Sequence, residues 1–287
     1  TTICLATEAP IALAPAMNHV MWNNPATQSN RALLEQRGIH SLGPDLGSQA
    51  CGETGAGRML DPEVIAATVC GLSVGKGDGV LEGRTVLITA GPTREPIDPV
   101  RYITNRSSGK MGYAIARAAA AQGADVILVS GPVNLRPPPG MRVLHVKTAQ
   151  EMLETTHEHV ADADIFVAAA AVADYRPAEI EPRKIKKHDA STSLSLVRCA
   201  DILSSVSTLD DPPFTVGFAA ETDNVEAYAL AKLENKGLDM IVANRVGDDE
   251  GFDTDDNAVT VLWPKGRQEF ARTAKTELAR SLVDLIA

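Results

Sequence analysis

Lysines, one carboxylate, one amide and one thiol mark where this sequence could do chemistry. Lys184, Lys186 and Lys187 fall in a single short run, and Lys232 and Lys236 follow at i,i+4. Cations gathered in this way suit phosphoryl or nucleotidyl transfer, where negative charge builds on the transferring group. They equally suit a solvated surface. Like charges at i,i+4 cost a helix only about 0.2–0.5 kcal/mol, and a shared triphosphate would relieve that repulsion. Asp174 closes the run Ala168-Ala169-Ala170-Ala171-Val172-Ala173. It could hold Mg²⁺ or a ribose hydroxyl, or simply cap a turn. Asn105 precedes the turn Ser107-Ser108-Gly109-Lys110-Met111-Gly112. A neutral amide there can hold a carbonyl or carboxylate without adding charge, or fold back on its own backbone. Cys51 stands among glycines and is a candidate reactive thiol or general acid, whereas Cys70 reads as a plain buried thiol.

These side chains need elements to carry them. Residues 84–89 form an apolar run bounded by Gly83 and Gly91, short enough for a buried parallel strand. The glycine-rich turn opens an alanine-rich helix over residues 111–121, stopped at Gly123, and residues 124–130 form the next strand. A glycine turn at a helix start aims backbone N–H groups and the positive dipole end at an anion. Gly109 and Gly112 could equally serve only close packing of helix on strand. A Walker A loop is excluded, because Thr104 occupies the place of its first glycine. An NAD fingerprint is disfavoured, because Ser130-Gly131-Pro132 stands where the ribose-binding acid belongs. The loop 90–108 is long, and long ordered loops tend to be functional.

Further strands are expected at 141–146, 164–169, 193–196, 215–218 and 240–243, with helices at 149–160, 200–207 and 225–236. A hairpin over 258–263 and 267–271 and a closing helix at 273–285 complete a doubly wound, mostly parallel, Rossmann-like α/β domain. Asp174 then falls at the carboxyl end of a strand, the ligand edge of open α/β sheets.

Residues 1–70 carry fewer elements: short strands at 11–14 and 39–42, and helices at 25–37 and 62–70. Between them, four glycines in 47–59 argue against a regular element and for a mobile flap or clamp. This region is expected to be the C-terminal part of a domain. A glycine-rich linker, 71–83, joins it to the α/β domain at 84–287. The chain opens without an initiator methionine, as expected of a piece of a longer protein. A net charge of -10 argues against general nucleic-acid binding. Four scattered cysteines and six histidines without ligand spacing argue for a reducing, cytoplasmic setting and against structural zinc. No apolar run reaches membrane-spanning length and no signal peptide is visible.

Taken together, several long motifs resemble the bifunctional bacterial enzyme of coenzyme A synthesis, which joins phosphopantothenoylcysteine decarboxylase to phosphopantothenate–cysteine ligase. The ligase resemblance covers 84–287. It rests on ITAGPTREPIDPVRYITNRSSGKMG (88–112), AAAVADYRP (169–177), KIKK (184–187), GFAAETDN (217–224) and the Lys232/Lys236 helix followed by ANRV (243–246). The decarboxylase resemblance rests on APAMNHVMW (14–22) and ACGETGAGRM (50–59), and implies a partial flavodoxin-like or Rossmann-like flavoprotein domain.

The resemblance implies that CTP activates 4′-phosphopantothenate as an acyl-cytidylate, which L-cysteine then attacks. Lys184 matches the lysine needed to form the cytidylate, and Asn105 the asparagine that handles it. Ala168, Ala169, Ala170, Asp174, Ala200, Asp201, Ile202, Leu203 and Phe218 match CTP-site positions, with Lys232 and Lys236 near the triphosphate. The family often carries Asn-Pro where this chain has Cys199-Ala200. Asn18 matches the substrate-holding residue of the decarboxylase and Cys51 its proton donor. FMN is implied as the decarboxylase cofactor, with its site incomplete in this chain, and Mg²⁺ with the ligase. A homodimer through the ligase domain is also implied, within a larger assembly of the full-length protein. Two competing readings remain: a non-catalytic nucleotide-binding subunit, against which Asn105 and Lys184 argue, and an NAD-dependent reductase, weakened by Ser130.

Overall fold

The computed structural model describes residues 2–7, 9–49, 52–73, 79–138, 141–186, 193–221, 224–245 and 254–287. The chain divides into two compact units, Thr1–Asp78 and Gly79–Ala287.

The first unit runs α1 (Thr2–Leu5), β1 (Ala12–Leu13), α2 (His19–Asn23), α3 (Pro25–Gln36), β2 (His40–Ser41), β3 (Asp45–Ser48), β4 (Thr54–Arg58) and α4 (Pro62–Ser73). Asn18 and Asn24 cap α2 and α3, each accepting a backbone N–H two residues on, at 2.8 and 3.0 Å. The strands expected at 11–14 and 39–42 shrink to the two-residue parallel pair β1–β2. The glycine-rich stretch expected to be irregular instead forms the antiparallel hairpin β3–β4, with Gly47 opposite Gly55. Ladder bonds need only backbone groups, and side chains would not fit here. A Cβ on Gly55 would lie 2.8 Å from His19 Cβ, and one on Gly57 2.1 Å from the Met17 carbonyl oxygen. Glycine therefore lets the hairpin lie directly on the segment that leads into α2.

The second unit runs β5 (Thr85–Ala90), β6 (Arg94–Pro96), β7 (Tyr102–Thr104), α5 (Lys110–Ala121), β8 (Asp125–Ser130), β9 (Arg142–His145), α6 (Ala149–His159), β10 (Ile165–Ala168), β11 (Tyr175–Pro177) and β12 (Leu196–Arg198). It continues with α7 (Ile202–Ser207), β13 (Phe214–Glu221), α8 (Val225–Asn235), β14 (Met240–Arg245), β15 (Asp256–Trp263), β16 (Gly266–Ala274) and α9 (Lys275–Ile286). Eight strands form one sheet in the order β16-β15-β14-β13-β10-β5-β8-β9. The six from β14 to β9 are parallel, and β15 and β16 add an antiparallel edge.

Alternation along the central strands explains why helices cover both faces. Val86, Ile88 and Ala90 of β5, with Val126 and Leu128 of β8, join a core that includes residues of α5 and α9. Leu87, Ile127, Val129 and Phe166 point the other way, into a core with Met152, Ile202 and Val206. Strands buried on both sides read as continuous apolar runs, as these do. A third core sets Ala229 and Leu233 of α8 against Ile241, Ala243 and Leu262.

Three expectations change. The long loop 90–108 contains the hairpin β6–β7, Arg94 opposite Thr104. The strand expected at 193–196 lies at Leu196–Arg198, because its partner is β11, itself not foreseen. The linker 71–83 is not all linker, since α4 continues to Ser73. At its other end Leu81 is buried and donates its N–H to the Gln122 carbonyl at 3.0 Å. A Cβ on Gly79 would lie 2.1 Å from that same oxygen. Glycine content signalled a linker, yet here it serves a close backbone approach.

From β5 the chain moves outward through β8 and β9 and then returns to place β10 on the other side of β5. The winding reverses between β5 and β10, which opens a crevice at the carboxyl ends of those strands.

Candidate active site

Both walls of this crevice are stitched together by backbone. Ala169 N–H donates to the Thr89 carbonyl at 3.1 Å, and Ala171 N–H to that of Gly91 at 2.9 Å. Thr89 and Thr93, both buried, add side-chain acceptors: their Oγ1 atoms take the N–H groups of Ala170 at 3.4 Å and Ala173 at 3.0 Å. The alanine run 168–173 therefore has a fixed path across the mouth. Asn105 follows β7 and donates from Nδ2 to the Val172 carbonyl at 2.9 Å. Its side-chain oxygen takes no part in that bond. Sequence left open whether Asn105 folds onto its own backbone; the amide instead reaches 67 residues along the chain.

The glycine turn has a packing role that the structure makes explicit. Gly109 caps α5 in the left-handed region, φ 76°. A Cβ there would lie 2.8 Å from Val133 Cγ1, and one on Gly112 2.6 Å from Ala90 Cβ. Ser107 Oγ accepts the Gly109 N–H at 3.3 Å, and Ser108 beside it is half-buried. The first N–H groups of α5 have no partner inside the helix, so close packing and anion binding are compatible here. Lys110 Nζ pairs with Asp255 at 2.7 Å. Ser130, in place of an NAD-type acid, is buried and bonded to the Tyr113 hydroxyl at 2.9 Å.

Asp174 is exposed, and its carbonyl accepts the Cys199 N–H at 2.8 Å, which ties the crevice mouth to β12 and the start of α7. Burial first, then the nearby charges of Glu95 and Asp174, pushes the Cys199 thiol up. Asp201 caps α7, accepting the Ser204 N–H at 3.0 Å, and pairs with Lys236 Nζ at 2.7 Å. Burial alone would raise the Asp201 carboxyl. The Lys236 and Ser204 hydrogen bonds outweigh it and hold the group below the ordinary carboxylate value. Lys236 sits at the C-cap of α8, where a cation also meets the negative end of the helix dipole. The repulsion expected between Lys232 and Lys236 is thus already offset within the protein. Ile202 is buried, and Leu203 packs against two cores. Phe218 of β13 and Ala169 both pack on the first core, half-buried.

Lys184 and Lys186 are exposed in a stretch without regular structure, and Lys187 lies outside the described residues. Among the described residues no three His, Cys, Asp or Glu side chains cluster as a metal site. In the first unit, Asn18 Nδ2 donates to Glu53 Oε2 at 2.5 Å, and His19 Nδ1 lies 3.3 Å from the same oxygen. Met17 N–H donates to the Gly57 carbonyl at 2.8 Å. Asn18 is thereby held against the hairpin that flanks position 51; Cys51 itself lies outside the described residues.

Residues 81–287 match the family model for the DNA/pantothenate metabolism flavoprotein C-terminal domain, and residues 1–73 match the Flavoprotein model. The chain is 49% identical over 290 residues to the coenzyme A biosynthesis bifunctional protein CoaBC of Vibrio vulnificus, covering all of this chain and 72% of that protein. It is 48% identical over 293 residues to CoaBC of Escherichia coli, with 71% of that protein covered. The chain belongs to the CoaBC family. A crystal structure of the C-terminal domain of a CoaBC matches 72% of this chain and 95% of its own at a TM-score of 0.62, with 45% identity. The DNA/pantothenate metabolism flavoprotein C-terminal match, over residues 81–287, contains the whole β5/β10 crevice together with Asp201, Lys232 and Lys236. Sequence reading missed Thr93, Asp98 and Arg101, which build the hairpin at this crevice. The acid and base flanking Pro99-Val100 were a visible signal of a tight polar turn.

Proposed function

We propose that the second unit is a CTP-dependent phosphopantothenate–cysteine ligase. The observation that carries this reading is the Asn105–Val172 bond, which seats a neutral amide at the β5/β10 crevice beside the Ala168–Ala170 and Asp174 segment. A carboxylate is a poor acyl donor until its oxygen becomes part of a good leaving group. The carboxylate oxygen of 4′-phosphopantothenate attacks the α-phosphorus of CTP, the bond to the β-phosphate breaks and pyrophosphate leaves. The amine of L-cysteine then attacks the acyl carbon and loses a proton, and CMP leaves.

Lys184 offsets the charge that gathers in the first step. Lys232 and Lys236 take the triphosphate, with Lys236 aimed by Asp201. The backbone of 168–170 and 200–203, with Phe218, lines the nucleoside position, and the turn 107–112 lies against phosphate. Asn105 holds the acyl-cytidylate for attack. Asp174 is one carboxylate, which suits Mg²⁺ that takes its remaining ligands from phosphates and water. When bound, Mg²⁺ supplies charge neutralisation on the phosphates.

In the first unit, we take Asn18 and Cys51 as the substrate-holding residue and proton donor of the FMN-dependent decarboxylase that a full-length protein would carry. Glu53 holds the Asn18 amide in place for that role. The Flavoprotein match supports this half. We also propose a homodimer through the ligase unit. The exposed apolar side chains of Val100, Tyr102, Ile180 and Leu196 fit a contact of that kind, and light scattering measures it. A cytoplasmic location fits the family. Among the described residues no helix is long and apolar enough to cross a membrane.

The test is incubation with CTP, Mg²⁺, 4′-phosphopantothenate and cysteine, which should release CMP and pyrophosphate in equal amounts. Lys184→Gln should block pyrophosphate release. Asn105→Asp should still activate the carboxylate but slow transfer to cysteine. The reverse pattern overturns the role assignment.

A further inference from the structure

Lys184 has no helix or strand of its own to fix it, and its surroundings show what does. Both peptide groups of its neighbour Ile185 are taken by the tip of the β6–β7 hairpin. The Ile185 N–H donates to Asp98 Oδ2 at 3.1 Å, and its carbonyl accepts from Arg101 Nη2 at 2.7 Å. Four residues earlier, Glu181 N–H donates to the Ile97 carbonyl at 2.9 Å.

Asp98 is only 3% exposed, although it lies at the tip of a hairpin. Its other oxygen accepts the N–H groups of Val100 and Arg101 at 2.8 and 2.9 Å, which closes the turn. The Arg101 Nε lies 3.6 Å from Oδ2. Closing a turn needs one side-chain oxygen, and a serine or asparagine would do it. Burying a carboxylate is costly unless each of its lone pairs finds a donor. Here the second oxygen is spent on a residue 87 positions away. Three N–H bonds and a nearby guanidinium are more than a turn needs and suit a clamp.

We propose that Asp98, with Arg101, is a positioning residue that clamps the Lys184 segment to the hairpin whose base carries Asn105. The inference rests on the roles given above to Lys184 and Asn105. It adds that the group serving activation and the group serving transfer are held on one support. Asp98 acts through Ile185 and touches no reactant.

The clamp is read without the chemistry by limited trypsin digestion of the full chain, because Arg183, Lys184 and Lys186 are exposed cleavage sites. Cleavage at 183–186 should speed up by about tenfold in Asp98→Ala, the change in local opening expected from losing a charge-assisted hydrogen bond. The melting temperature should stay within a few degrees of wild type. Pyrophosphate release should slow in Asp98→Ala. If Asp98→Ala does not fold, the near-isosteric Asp98→Asn carries the same measurements. An unchanged cleavage rate at 183–186 in a folded variant overturns the clamp, whatever the ligase assay gives. Digestion that accelerates at every site assigns Asp98 a merely structural role and also overturns it. A wild-type protein that releases no pyrophosphate removes the ligase reading, while the digestion result still decides the clamp.

Discussion

Leu87, Ile88, Phe166 and Leu128 of the second unit are sealed from solvent within a sheet covered on both faces, whereas Val20, Met21 and Leu46 of the first unit stay 60–70% exposed. Among the described residues the first unit buries Trp22 and Leu42 as its apolar core. Its paired strands run two to five residues, and helix caps and glycine-permitted backbone contacts do much of the ordering. The second unit alternates side chains between two cores along each central strand. The contrast teaches that similar strand-and-helix signals do not imply similar self-sufficiency. What counts is how many strands lie between two covering layers, because apolar burial supplies about 25 cal/mol per Å² and local caps only about 1 kcal/mol each.

The contrast can be broken or sharpened in several ways. The largest effect is expected from separation. Residues 79–287 alone should unfold in one cooperative calorimetric transition, and residues 1–78 alone should show none. A cooperative melt of 1–78 would end the comparison. Next, Leu87→Ala removes a fully buried side chain and should destabilise the second unit by about 2–5 kcal/mol in urea unfolding.

A smaller effect is expected at the amino-terminal edge of the central strands. There Asp164 accepts the Thr85 N–H at 2.8 Å and pairs with Arg84 at 2.7 Å. The Thr85 bond, then Arg84, holds its carboxyl below the ordinary 3.8. A depressed folded-state value means that the contribution is complete above the unfolded value and is lost as pH falls through the folded one. Asp164→Asn should therefore be less stable than wild type at neutral pH, with the gap closing below pH 3.8. A gap that persists unchanged into acid would show that the charge is irrelevant. The smallest effect is expected at Leu46, 70% exposed in β3, where Leu46→Ser should alter stability by no more than about 0.5 kcal/mol.

Much of the second unit was legible because its signals are local. Apolar runs of strand length, an alanine-rich helix stopped by Gly123 and repeated alternation all lie within short windows of sequence. The elements that went unseen are those whose partners are distant. The β11 strand is three residues long and exists because β12 pairs with it. Residues 79–83 looked like linker because the contact of Leu81 with Gln122 lies 41 positions away, at the end of α5. The hairpin β3–β4 looked irregular because glycine is a poor strand former by itself. It becomes a fitting one where His19 and the Met17 carbonyl crowd the strand.

The same division runs through the candidate site. Sequence by itself determined the chemical inventory: an amide before a glycine turn, an acid after a buried strand, and lysines in the right order for a polyphosphate. It also determined the doubly wound alternation that sends such residues to one edge of a sheet, because periodicity is written locally. Tertiary structure alone decided which of them meet. Asn105 finds Val172, Asp201 finds Lys236, and Asp98 finds Ile185 beside Lys184. Each pairing joins residues at least 35 positions apart. Its geometry depends on strand order and on loops that have no period of their own. Only the folded crevice fixes that.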